Sequence, residues 1–141
     1  MGGSDNSFLS YKVPTTSGKA SGEIIYFGSA GQTFAFGETI FLTTTGWFKT
    51  DADISTATNM IGMALGNSPT TDGVLLRGFA REGSWSFTTG RPLYLGRTTA
   101  GSIIESLTTD GFTTGDYVRV VAYQVATNTL FFNPDNTWVQ L

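Results

Sequence analysis

The chain contains no cysteine. Disulfides, thiolate metal sites and a cysteine nucleophile are thereby excluded. It contains no histidine either, the side chain that most often serves as general base, zinc ligand or centre of a catalytic triad. With both gone, most hydrolytic chemistry is closed, so no enzyme is expected and no catalytic residue, cofactor or metal is assigned. Charge is scarce as well: Asp, Glu, Lys and Arg make up 13% of the chain, about half the usual share. Eight basic and eleven acidic residues leave a net charge of −3 with no basic block, which argues against nucleic acid or an anionic membrane as partner. No apolar run approaches the roughly eighteen residues of a membrane span; Val118–Tyr123 is interrupted by Arg119. Met1–Asn6 has neither the cationic nor the apolar region of a signal peptide. Asn6 stands where myristoylation wants Ser or Thr, and no asparagine opens a glycosylation sequon. The expectation is a protein made in the cytoplasm without lipid or glycan.

What the chain does have is β-forming and turn-forming material. Its 141 residues suit one domain. Apolar residues at 40% and aromatics at 13% argue against disorder. Glycine (18) and threonine (23) replace the Ala, Leu, Lys and Glu of helical proteins. Residues 1–22 are Gly-, Ser- and Thr-rich and read as an N-terminal arm; residues 23–141 read as a β-rich structural domain. Short β-like runs recur there: 23–27, 33–36, 39–43, 47–50, 60–65, 73–79, 84–87, 93–95, 102–107, 117–125, 129–132 and 137–140. The fold class expected is all-β, a single small β-barrel or β-sandwich of β-tulip-like form with an extended N-terminal arm. Trp47, Phe79, Leu93, Val118, Val120 and Phe131 are expected in its core. Ile54, Ala57, Ile61, Ala64 and Leu65 carry helical spacing, but Thr56, Thr58, Asn59 and Gly62 oppose a helix. A loop or single helical turn over 51–58, then a strand, is the better reading. Asp72-Gly73 and Asp110-Gly111 signal backbone at positive φ, and Asn133-Pro134-Asp135-Asn136 signals the turn of a terminal hairpin flanked by Phe131–Phe132 and Trp138.

Few residues invite a chemical reading. Asp51-x-Asp53 offers two carboxylates, but no third calcium ligand or Gly-bearing loop follows, so a solvated loop start is expected. Gly18-Lys19 lacks the rest of a phosphate loop. Glu38, Glu82, Glu105 and Asp116 are scattered, and nothing in their spacing makes a glycosidase pair. Seven Thr pairs or triplets, Thr43-Thr44-Thr45 and Thr98-Thr99 among them, have no fixed repeat and fit strand ends. Five arginines outnumber three lysines; surface salt bridges explain them, with interface contacts the second reading. Trp47, Trp85 and Trp138 are first of all core candidates. A sugar-stacking role would need a flat exposed ring with polar neighbours.

An ordered series of short motifs runs through the second half of the chain. Asn59-Met60-Ile61-Gly62-Met63-Ala64-Leu65 and Asp72-Gly73-Val74-Leu75-Leu76-Arg77-Gly78 come first. Gly90-Arg91-Pro92-Leu93-Tyr94-Leu95, Gly115-Asp116-Tyr117-Val118-Arg119-Val120-Val121-Ala122-Tyr123 and Leu130-Phe131-Phe132-Asn133-Pro134-Asp135-Asn136-Thr137-Trp138-Val139 follow. Over about residues 45–141 this resembles small structural proteins of tailed bacteriophages, found on heads or in tail fibres. Ala122 departs from the Gly that often follows the Arg-Val-Val run in that group. The resemblance implies a virion component, a capsid decoration or cement protein on the outer head surface that bridges capsid subunits. The major capsid protein or another virion protein would be its partner, and a homo-oligomer, a trimer by preference, its state. A tail or head fibre protein that recognises a host glycan or protein is the alternative, but no shaft repeat is present. The arm supplies the candidate partner-binding residues: Phe8, Leu9, Tyr11 and Val13 are too few to build structure alone, yet an extended segment can add to a partner's sheet.

Overall fold

The computed structural model describes residues 11–141; Phe8 and Leu9 lie outside the described residues. Among those described there is no α-helix, and the chain is all-β. The strands are β1 (Lys19–Ile25), β2 (Thr39–Thr43), β3 (Gly46–Lys49), β4 (Ile61–Ala64), β5 (Val74–Arg81), β6 (Pro92–Leu95), β7 (Ile103–Ile104), β8 (Tyr117–Val118), β9 (Val120–Ala126), β10 (Thr129–Phe132) and β11 (Val139–Gln140). A 3-10 turn, Ser55–Thr58, precedes β4, as the broken helical spacing at 51–58 predicts. Residues 19–22, placed in the arm by composition, run in β1 opposite Arg81–Gly78.

The antiparallel order β3-β2-β4-β5-β10-β9-β6-β7 makes a strongly curled half-barrel, and β1 joins it on β5. The pairings show that this sheet is forked. β1 faces β5 along its whole length, from Lys19 opposite Arg81 to Ile25 opposite Val74. β4 pairs with β5 at Val74 and Leu75, and β10 pairs with it at Gly78–Arg81. A strand has two edges, so β4 and β10 must share the edge that β1 leaves free. They diverge at Leu76 and Arg77, which pair with neither. Gly22 and Gly78 lie opposite each other in this pairing, and a Cβ on Gly78 would run into the Ser21 carbonyl oxygen. Only glycine permits that backbone approach.

Buried side chains form two clusters on opposite faces of the sheet, since the neighbours Ile40 and Phe41, Met63 and Ala64, and Val74 and Leu75 divide between them. Leu75, Leu93, Leu95, Val121, Leu130 and Phe132 are fully buried in one cluster, and Trp47 with Ile40, Ala64 and Val74 forms a second. Trp47 and Leu93 are thus core residues as expected. Phe79, Val118, Val120 and Phe131 are not: they are half-buried, and their neighbours Ala80, Val121, Leu130 and Phe132 point inward. Phe79 and Phe131 instead pack together on the outer face, ring centroids 5.3 Å apart, with the Arg77 guanidinium over Phe131.

Two expected strands and one hairpin also differ. Segments 33–36 and 84–87 are loops because side chains satisfy their backbone: Asn67 Oδ1 accepts the Phe34 N–H, Glu38 Oε1 that of Ala35, and Gln124 Oε1 that of Phe87. Past Phe132 the chain does not turn back on β10. Asn133 and Asp135 donate to Val121 and Val120, and β11 then pairs with β8. Segment 133–138 is therefore an outward bulge in a strand that continues along β9 and β8. Gly73 and Gly111 do take positive φ, as their Asp-Gly pairs require.

Candidate functional site

The described end of the arm lies on its own domain. Tyr11 donates from Oη to Glu23 Oε2 at 2.9 Å, and the Ser21 hydroxyl donates to the Lys12 carbonyl, so residues 11–12 run beside the outer edge of β1. Hydrogen bonding to the Glu23 carboxylate, with some burial, raises the Tyr11 phenol above its usual pKa. Val13 is 47% exposed. At the other end of β1, Tyr26 and Phe27 are 61% and 50% exposed, yet their backbone is fixed from within: the Trp47 indole N–H donates to the Phe27 carbonyl at 2.8 Å.

A groove of about 400 Å³ opens at the fork of the sheet. Leu76 and Arg77 of β5 form its floor, Thr58, Asn59 and Met60 one wall, and Asn133, Pro134, Asn136 and Trp138 of the bulge the other. Arg119 lies at its base, where β8 gives way to β9, and is 4% exposed. Its Nη1 donates to the carbonyls of Ala57 (2.9 Å) and Asn59 (2.6 Å), and Nε to that of Asp135 (2.8 Å). It thus joins the 3-10 turn to the bulge. Burial lowers its pKa and the Asp135 carboxylate opposes that shift; a guanidinium starts so high that it stays charged. Trp138 covers the guanidinium at 5.4 Å and keeps 42% exposure.

The carboxylates resolve differently from a catalytic pair. Glu38 and Glu82 line a second groove with Trp85. Glu38 Oε1 accepts the Ala35 N–H and Oε2 faces Lys49 Nζ at 3.3 Å. Glu82 is held by the hydroxyl and N–H of Ser84, which keep its pKa below the ordinary value. A glycosidase acid needs the opposite shift. Glu105 accepts the Thr88 N–H, and Asp116 pairs with Arg97 at 2.8 Å. Arg97 is thus an arginine of the expected salt-bridging kind, whereas Arg119 and Arg77 meet carbonyls and rings. No group of three His, Cys, Asp or Glu side chains that could hold a metal occurs among the described residues.

Asp51 and Asp53 lie at a loop start, with Asp51 Oδ1 accepting the Asp53 N–H at 3.2 Å. Burial first, then the Asp53 carboxyl, pushes Asp51 up to about 6. The folded state therefore keeps a proton that the unfolded chain, near its ordinary value of about 3.9, has released. Stability from this group is present below about pH 4 and is lost as pH rises through 6. Asp51→Asn should melt above the parent protein at pH 7, with the gap closing toward pH 4. An unchanged gap in melting curves across that range would contradict this account.

No helix among the described residues is long and apolar enough to cross a membrane. No protein family, curated protein or solved structure matches the chain.

Proposed function

We propose that this chain is a bacteriophage virion structural protein, a decoration protein that sits on the outer head surface and bridges neighbouring capsid subunits as a homo-oligomer, without catalysis of its own. The observation that carries this reading is the β1 edge. An outer strand that leaves large apolar groups in water invites association unless something covers it. Here Tyr26 and Phe27 stand in solvent on a backbone pinned by Trp47. Rigid presentation lowers the entropy cost of docking, and aromatic anchors are the residues that dominate interfaces. The ordered motifs of residues 45–141 support the virion assignment, and the low charge suits a protein that stays assembled. Tyr11, beside the same strand, and Val13 belong to the docking segment proposed here, as do Phe8 and Leu9 outside the described residues.

Tyr26→Ser with Phe27→Ser is expected to leave the melting temperature within a few degrees, because both rings are largely exposed already. Binding to undecorated capsids should weaken at least about tenfold. Deletion of residues 2–14 should likewise spare folding, since the described contacts of that segment are exposed hydrogen bonds worth about 1 kcal/mol each. Co-sedimentation with bare capsids and light scattering of the free protein measure both points. Full capsid binding by both variants, or a large fall in melting temperature on deletion, would refute the docking edge.

A further inference from the structure

We infer that the groove at the fork is a binding site for a carboxylated saccharide, the acid group at Arg119 and Arg77 and a sugar ring against the exposed Trp138 indole. The site shares no residue with the Tyr26–Phe27 edge and does not depend on it. Arg119 carries the argument. Its charge is buried, and among the described residues no carboxylate oxygen lies within 4 Å of it or of Arg77. Three backbone carbonyls occupy Nε and Nη1, while Nη2 has no hydrogen-bond partner among the described residues; Arg119 is one of the residues lining the groove. The Asp135 carboxylate acts on this buried cation only from beyond 4 Å, so no counter-charge is paired with it directly. A ligand carboxylate entering the groove supplies one through a charge-assisted bond. Arg77, exposed above Phe131 on the same floor, provides the second positive group. Glu23 at the rim is engaged by Tyr11.

The rest of the lining selects the kind of acid. The Trp138 indole packs against the Arg119 guanidinium and stays 42% exposed in the groove wall, a flat apolar platform. Asn133 and Asn136 share its wall, and Thr58 and Asn59 line the wall that faces it, adding a hydroxyl and amides. Asn59 spends its Nδ2 on the Leu42 carbonyl, and no hydrogen bond among the described residues uses its Oδ1 or the side-chain amides of Asn133 and Asn136. A ring platform among donors and acceptors matches an amphipathic, hydroxyl-bearing ligand. A plain aliphatic acid would leave those groups unused.

The test titrates the full chain by two-dimensional NMR with hexamers of galacturonate, mannuronate, hyaluronan and sialic acid. At least one should bind with a dissociation constant of about 0.1–1 mM, shifting the Trp138 indole N–H and the amides of Met60, Arg77 and Asn136. Methyl-esterified hexagalacturonate keeps the rings and removes the charge; against a galacturonate hit its binding should fall at least about tenfold. Trp138→Ala should weaken binding about tenfold and Arg77→Gln about fivefold. Both positions are exposed enough for folding to survive, which the same spectra verify. Arg91→Gln, outside the groove, should bind as the parent does. Silence from all four hexamers, equal binding of the ester, or equally tight binding of a hexaglutamate peptide to the same amides would overturn the inference; the last would assign the groove to a protein carboxylate.

Discussion

Replacing Arg119 with alanine is expected to cost about 3–5 kcal/mol, the scale at which a buried charge network fails when one member is removed. The melting temperature should fall by about 10 °C or more. The side chain ties together three separated pieces of chain: the 3-10 turn through Ala57 and Asn59, the bulge through Asp135, and the β8–β9 junction on which it sits. Its loss orphans carbonyls in a place that water reaches poorly, and each orphaned group costs about 1–3 kcal/mol. It also removes the support beneath Trp138. Arg119→Lys separates charge from geometry: an ammonium keeps the charge but cannot serve carbonyls on two sides as the planar fork does. The lysine variant should recover less than half of the loss. Thermal melting of both variants decides the matter, and an alanine variant within 2 °C of the parent (about half a kcal/mol) would show the three bonds to be idle.

Trp47→Ala should be comparably damaging, at about 3–5 kcal/mol. Trp47 is fully buried in the smaller core cluster with Phe34, Ile40, Ala64 and Val74. The glycines around it have no side chain with which to refill the space: a Cβ on Gly28 would stand 2.5 Å from the indole nitrogen, and one on Gly62 would meet the ring at 3.5 Å. The cavity would therefore persist, and the Phe27 carbonyl would lose its donor. Trp47→Phe retains most of the volume and removes the N–H, so it should cost about 1–2 kcal/mol. In urea unfolding the alanine midpoint should drop with the slope unchanged. Because the same bond fixes the backbone under the Phe27 ring, Trp47→Phe should also weaken the capsid docking proposed for the β1 edge. A Trp47→Ala variant with the parent's midpoint would mean that the loop packs without it.

Strand positions were legible where several strand-formers stood together between turn residues. Thr39–Thr43 and Thr129–Phe132 were read with the bounds they have. Which face turned inward was not always legible. In Leu130-Phe131-Phe132 both alternating sets are apolar, so period-two spacing cannot choose between Phe131 and the pair around it. Register chose: Leu130 lies opposite Ala80 and Phe131 opposite Phe79. The buried side takes one large residue against one small, and the two phenylalanines stack outside. Segments 33–36 and 84–87 had strand composition, but Asn67, Glu38 and Gln124, distant in two cases of three, supplied partners that a ladder would have provided.

The groove shows the same division more sharply. Asn133-Pro134-Asp135-Asn136 was visible as a turn, and Trp138 as an aromatic beside it. Their reading as a hairpin failed because the partner of β11 is β8, a pairing that no local signal encodes. Arg119 was visible as the charge that breaks an apolar run. That it would be buried depends on the fork, where β4 and β10 part beside Leu76 and Arg77 of β5. The sequence by itself determined an all-β chain with a core, without cysteine or histidine chemistry, because composition and short-range turn geometry act within a few residues. The tertiary structure alone decided which aromatics face out, where the sheet divides and which three segments meet around Arg119. Those outcomes depend on strand register and curl, which arise from packing between residues far apart in the chain.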